Sequence, residues 1–141
     1  MKEKYRLFKL ILLTIGGLLP ALMAVCQSET KLEGTWKGTS LCRVKNGPCH
    51  DEQVVYHISK DGKQGVIAVQ MNKLVSGQEE IMGTVNCSWE ENTQSLKGTT
   101  YTRSNKPLSW LFRLSGKELR GTLRDDAGEI IRDIHVKRDA D

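Results

Sequence analysis

The densest group of side chains that could do chemistry is Cys49-His50-Asp51-Glu52, with Cys42 a short distance earlier in the chain. Thiolate, imidazole and carboxylate groups are ligands for zinc and similar metals. The alternative is a Cys42–Cys49 disulfide followed by a solvated strand start at His50-Asp51-Glu52. Ligand types alone are weak grounds for a metal site, so the sequence predicts neither a metal nor a cofactor.

No group of residues has the spacing of a catalytic site. A Gly-x-Ser-x-Gly motif is absent from the sequence. The acidic pairs Glu90-Glu91 and Asp125-Asp126 fall in turns of different predicted hairpins, which is more typical of solvated residues than of a glycosidase pair. Cys87 falls inside a predicted strand, where a buried thiol is normally inert. The sequence therefore predicts a non-catalytic protein with no catalytic residues.

The first 26 residues have the pattern of a secretory signal. Basic residues up to Lys9 precede the apolar run Leu10–Val25, which is shorter than the roughly 20 residues that a spanning helix needs. The run ends in Leu-Met-Ala-Val before Cys26, which resembles a bacterial lipobox and would make Cys26 an acylated first residue. Ordinary cleavage near Ala24 or Cys26 is the alternative. Both predict an extracytoplasmic protein, either periplasmic, secreted or anchored to the outer membrane as a lipoprotein.

The net charge does not favour binding to nucleic acid. The chain of 141 residues has 21 Lys and Arg and 17 Asp and Glu, a formal charge of +4. Four of those bases and one acid precede residue 27, so 17 bases and 16 acids remain and the charge of the remainder is only +1. Bulk charge thus predicts no nucleic-acid partner and no basic membrane patch. Membrane contact is predicted only through a lipid anchor at Cys26.

After a short linker at residues 27–33, the pattern predicts one all-β domain at residues 34–138. Apolar and polar residues alternate in eight short blocks separated by turn residues. Short connections favour an antiparallel meander, and eight strands close most economically into an up-and-down barrel without exposed edges. A sandwich would need longer crossover connections. The blocks are Gly34–Cys42, Glu52–Lys60, Gly65–Leu74, Glu79–Trp89, Ser95–Arg103, Leu108–Leu114, Lys117–Arg124 and Glu129–Lys137.

The strand order favours one cysteine pairing. Without Cys26, three single pairings are formally open. Cys42 ends the first strand and Cys49 precedes the second, so both lie at one rim of the predicted barrel. At roughly 3.3 Å per residue, Cys87 would lie about 20 Å away, which is too far for a bridge. We therefore expect a Cys42–Cys49 disulfide and a free, buried Cys87.

The start of the first strand resembles the calycin superfamily, which includes lipocalins, fatty-acid-binding proteins, avidins and some bacterial inhibitor barrels. The resemblance rests on Gly34-Thr35-Trp36 and on a basic residue in the last strand. It implies that Trp36 plugs one end of the barrel and that a last-strand base, assigned here to Arg132, packs across it. The chain is shorter than a typical lipocalin and has no evident helix after the last strand. It also resembles uncharacterised lipocalin-like lipoproteins of Gram-negative bacteria, a likeness that implies no activity.

Two functions are open at this point, and the sequence favours the first. The protein could bind a small hydrophobic molecule in a barrel cavity, for which the candidate lining residues are Met71, Trp89, Trp110 and Phe112. Alternatively, it could inhibit or bind a partner protein through the disulfide-clipped rim loop at residues 43–48. An open apolar cavity would favour the first function. A packed interior with a projecting loop would favour the second.

Overall fold

The computed structural model describes residues 31–140 and confirms an all-β protein. The predicted signal segment, Cys26 and residues 27–30 of the predicted linker lie outside the described residues. Within residues 31–140, eight antiparallel strands form a closed up-and-down barrel, with one short 3-10 helix at Glu91–Thr93. The strands are β1 (Gly34–Cys42), β2 (Glu52–Lys60), β3 (Val66–Val75), β4 (Gln78–Glu90), β5 (Ser95–Tyr101), β6 (Pro107–Ser115), β7 (Glu118–Arg124) and β8 (Ile130–Arg138).

The ring closes where β1 pairs with β8, from Trp36 opposite Arg138 to Cys42 opposite Arg132. The other ladders join neighbours in sequence, so the strands run alternately up and down. We call the end that contains residues 31–33 the closed end. The opposite end, which contains the loop at residues 43–51, is the open end.

Trp36 seals the closed end. Its side chain has no exposed surface, and its indole N–H donates a hydrogen bond to the backbone oxygen of Leu32 at 2.9 Å. The guanidinium of Arg138 lies over the indole, 5.7 Å from the ring centre. Arg138 also donates to the backbone oxygens of Lys31 and, at 2.5 Å, of Glu33. The segment before β1 is thus tied to the last residue of β8.

The basic residue that packs over Trp36 is Arg138, and the prediction of Arg132 was wrong. Antiparallel pairing places the start of β1 beside the end of β8, so Trp36 is opposite Arg138 while Arg132 is opposite Cys42. Arg132 shares the inward face of β8, as expected, but lies near the open end. The register along β8, rather than the face, decides which arginine reaches the indole.

Side chains fill the closed half of the barrel. Tyr56 and Phe112 are almost fully buried and meet edge to face, with 6.1 Å between their ring centres. Trp110 stacks on Phe112, with 6.0 Å between their ring centres. The remaining buried core consists mainly of aliphatic side chains from six strands, β2 to β5, β7 and β8: Val54, Ile58, Ile67, Val69, Val85, Leu96, Leu119, Ile134 and Val136.

The barrel wall opens on one side between β4 and β5. Among the described residues, β4 pairs with β5 only between Cys87 and Glu90, although β5 pairs with β6 along its whole length. The register between β3 and β4 shifts after Met71, which leaves Met82 as a bulge in β4. In the open half, β4 therefore follows β3 and separates from β5.

We expect Trp36→Ala to lower the free energy of unfolding by about 3–5 kcal/mol, because it removes a fully buried indole together with its Leu32 and Arg138 contacts. Urea unfolding at equilibrium measures the change. Tyr101→Ala is the control, since that ring is 64% exposed and should be lost at little cost. Equal stability of Trp36→Ala and wild type would contradict the sealing role.

Gly38 and Gly83 provide a matched pair for testing the closure of the ring. A Cβ atom at Gly38 would lie 2.0 Å from the backbone oxygen of His135 on β8, whereas at Gly83 it would meet nothing within 4 Å. We expect Gly38→Ala to cost about 2–3 kcal/mol or more, because β1 and β8 must move apart. Gly83→Ala should stay within about 0.5 kcal/mol of wild type. Parallel thermal melts would reveal the difference, and similar melting temperatures would refute the close β1–β8 approach.

Candidate functional site

A pocket of about 420 Å³ occupies the open half of the barrel, a volume typical of small-molecule sites. It reaches the gap in the wall, since both separated strand edges contribute to its lining. From β4 these are Met82, Gly83 and Thr84, and from β5 Thr100 and Tyr101. The remaining lining residues come from β1, β2, β3, β6, β7 and β8: Ser40, Glu52, Tyr56, Met71, Trp110, Leu123 and Arg132.

Met71, Trp110 and Leu123 form the apolar part of the pocket. Two contacts hold the indole of Trp110 in place, one through a ring face and one through the N–H group. One face stacks on Phe112, and the indole N–H donates a hydrogen bond to the Thr100 hydroxyl at 2.8 Å. This part of the pocket is therefore a pre-formed apolar surface onto which a flat or aliphatic group can pack.

Arg132 and Glu52 form the polar part. Their side chains are only 19% and 13% exposed, and the guanidinium lies 3.3 Å from the Glu52 carboxylate. Arg132 also donates to the Ser40 hydroxyl at 3.1 Å. Because the two opposite charges are paired, this wall has no net charge. Burial raises the pKa of Tyr56, so its phenol stays neutral in the pocket.

A hydrogen-bonded cluster on the outer wall holds the β3–β4 hairpin against β2. The Glu79 carboxylate accepts hydrogen bonds from His57 at 2.7 Å and from Asn72 at 2.6 Å. The hydrogen bond from His57, followed by that from Asn72, lowers the pKa of Glu79. His57 also contacts the Thr35 hydroxyl at 3.2 Å. These contacts attach the β4 end of the hairpin to β1 and β2.

Only two of the four predicted cavity residues line the pocket. Met71 and Trp110 do so, whereas Phe112 is buried in the core behind Trp110. The prediction of Trp89 was wrong in position, because it lies near the closed end and its indole N–H donates to Glu91 at 2.6 Å. Alternation along a strand gives the inward face but not the height along the barrel axis.

Glu52 is the most informative pocket residue that the sequence reasoning missed. It was interpreted as part of a solvated strand start. Yet it alternates with Val54, Tyr56 and Ile58, all of which are buried on the inward face. The two-residue alternation along β2 therefore predicts an inward-facing Glu52. The inward-facing Arg132 also needs a carboxylate partner, which is a second indication that Glu52 lies in the interior.

The Cys42–Cys49 disulfide is present, as predicted, with the two Cα atoms 5.9 Å apart. Cys49 is therefore not a thiolate ligand, and the His50 imidazole is 3.8 Å from the Glu52 carboxylate. Within residues 31–140, no three His, Cys, Asp or Glu side chains are grouped as a metal site.

The predicted free thiol, Cys87, is buried in the closed half, away from the pocket. Desolvation raises the pKa of this thiol to about 12. The thiolate is the reactive form, so the side chain is placed as a core residue and not as a nucleophile.

Comparisons with known proteins leave the family open. The chain matches no protein-family model, and no curated protein matches its sequence. A closed barrel does not by itself identify a family, so the calycin resemblance stays a prediction. No helix within residues 31–140 has the length and apolar character needed to cross a membrane.

We expect Cys87 in the native protein to react with Ellman's reagent at least ~100-fold more slowly than an exposed thiol, because burial disfavours the thiolate. The Cys87→Ser variant is the control for any other thiol in the chain. Wild type and variant should react alike when native, and wild type should show one additional thiol in guanidinium chloride. An additional reactive thiol in native wild type would contradict the burial of Cys87.

Proposed function

We propose that the protein is a non-catalytic binding protein that holds a small amphipathic molecule in the open half of its barrel. The observation that supports this most directly is the pocket itself. It combines a pre-formed apolar wall at Met71 and Trp110 with a paired polar wall at Arg132 and Glu52. An apolar ligand body fits the first wall, and an uncharged polar group fits the second.

The filled closed half limits the size of this ligand. Tyr56 and Phe112 block the barrel axis below the pocket. A long acyl chain therefore cannot extend down the lumen, and the pocket favours a compact molecule. Because Glu52 already neutralises Arg132, the pocket favours a neutral or zwitterionic ligand. An anion would have to compete with the buried Glu52 carboxylate for the guanidinium.

Location and family are part of the same proposal. A secretory signal at residues 1–26, with Cys26 as a site of lipid attachment, would deliver the barrel to the periplasm, the exterior or the outer membrane. The Cys42–Cys49 disulfide is compatible with an oxidising compartment. Membership of the calycin superfamily is supported by Trp36 at the start of β1 and by Arg138, which packs over it from the last strand.

The rim loop at residues 43–48 supports a second candidate function, inhibition or binding of a partner protein. Several contacts hold the loop in place besides the disulfide. The Arg43 guanidinium pairs with the Asp133 carboxylate. The backbone N–H of Arg43 donates a hydrogen bond to the backbone oxygen of Ile131 at 2.9 Å. Val44 is 42% exposed on this loop. An exposed apolar side chain on a constrained loop is suited to a partner's cleft, because little conformational entropy is lost on binding.

We expect Gly83→Phe to weaken binding of the neutral fluorescent probe N-phenyl-1-naphthylamine by about tenfold or more, because its phenyl ring would occupy the pocket. A Cβ atom at Gly83 meets no other atom within 4 Å, so the larger side chain has room. Fluorescence titration measures the dissociation constant. Gly47→Phe is the matched control, since it adds the same ring to the rim loop, outside the pocket.

Thermal melts must first show that both variants are folded. Similar probe affinity in wild type, Gly83→Phe and Gly47→Phe would place the binding site elsewhere and contradict the proposal. Absence of saturable probe binding to wild type would also contradict it, and would leave the rim loop as the better-supported site.

A further inference from the structure

A second concave feature lies on the outside of the barrel, separate from the interior pocket. It is a groove of about 480 Å³ that crosses β6, β7, β8 and β1. Its lining combines polar and charged side chains with the apolar residues Leu41, Leu111 and Ile134. Its lining includes none of the residues assigned to the interior pocket.

Three basic side chains form a row across this groove. Arg113 on β6 is directly opposite Arg120 on β7, and Arg120 is directly opposite His135 on β8. Thr39 on β1 continues the row. Residues directly opposite in antiparallel strands have Cβ atoms about 4.5–5.5 Å apart, and like charges at that spacing are unfavourable. An anion between the two guanidinium groups would relieve this repulsion.

The available carboxylates do not neutralise this row. Glu118 is shared between His135 at 3.0 Å, Lys137 at 3.1 Å and Arg120 at 3.5 Å. Asp133, the acid inside the groove, pairs with Arg43 through a 2.5 Å hydrogen bond.

The Arg113 side chain has no hydrogen bond or ion pair to any other residue between 31 and 140. It is exposed, so the guanidinium is available to a ligand.

We propose that this groove binds the phosphate group of a small phosphate ester. Guanidinium groups bind phosphate oxygens in a two-pronged geometry, and Arg113 and Arg120 are close enough to share one such group. A phosphate with a charge near −2 is favoured over a carboxylate, because more than one basic group faces it. Leu111 lies in the adjacent row of the same face, two residues from Arg113 on β6, and contacts the organic part of the ester.

The test is a two-dimensional NMR titration of the full chain with phenyl phosphate and, separately, with inorganic phosphate. We expect saturable shifts around residues 111–122 with both probes, and an affinity for phenyl phosphate about threefold or more higher because its ring contacts Leu111. Arg113→Gln should weaken phenyl phosphate binding by about tenfold. Glu118→Gln should strengthen it, because a competing carboxylate is removed.

Arg103→Gln is the matched control, since it removes the same charge from an exposed turn between β5 and β6 at the open end, outside the groove. It should change the affinity by less than about twofold. Equal losses in Arg103→Gln and Arg113→Gln would show unspecific charge attraction and overturn the site.

Two further results would also be decisive. Shifts that do not saturate in the millimolar range would overturn the site, and equal affinity for both probes would overturn the ester assignment. Gly83→Phe should retain phosphate binding, so that failure of the interior pocket and failure of this groove are distinguishable.

Discussion

The pairing of β1 with β8 is the interaction on which the rest of the molecule depends. It joins strands that are almost 100 residues apart along the chain and removes the free edges that β1 and β8 would otherwise have. Gly38 allows the two backbones to approach closely at this seam, because any side chain there would collide with the His135 backbone. The same seam brings Arg138 over Trp36 and places Arg132 near the opposite end. The closed end, the polar wall of the pocket and the outer groove all rely on it.

The barrel is asymmetric along its axis, and this asymmetry gives it room for a ligand. At the closed end, Trp36 and the aromatic core leave no lumen. At the open end, β4 follows β3 and leaves the facing edge of β5 unpaired beyond the Cys87–Glu90 ladder, while the other edge stays paired with β6. A continuous ladder on all sides would have brought the two strand edges together and reduced the pocket. Loss of some β4–β5 hydrogen bonds is thus the structural condition for the candidate site.

Much of the fold was predictable from short-range pattern. Alternation and turn residues placed all eight strands to within a few residues, because a half-buried strand repeats every two residues. The rim disulfide followed from strand order, since Cys42 and Cys49 flank one short loop. The site was less predictable. Trp89 and Trp110 both alternate inward, yet only Trp110 lines the pocket. Their heights depend on strand stagger and on the β4 bulge, neither of which is encoded in the local pattern.

The amino-acid sequence by itself determined the strand count, the inward faces and the cysteine pair, because these depend on neighbours along the chain. Only the tertiary structure decided which arginine covers Trp36, which carboxylate meets Arg132 and where the wall opens. These depend on register between strands that are distant in sequence. The row of Arg113, Arg120 and His135 is of the same kind: separate residues in sequence become one charged surface when their strands pair. Register is set by the packing of the whole barrel, and no local segment contains it.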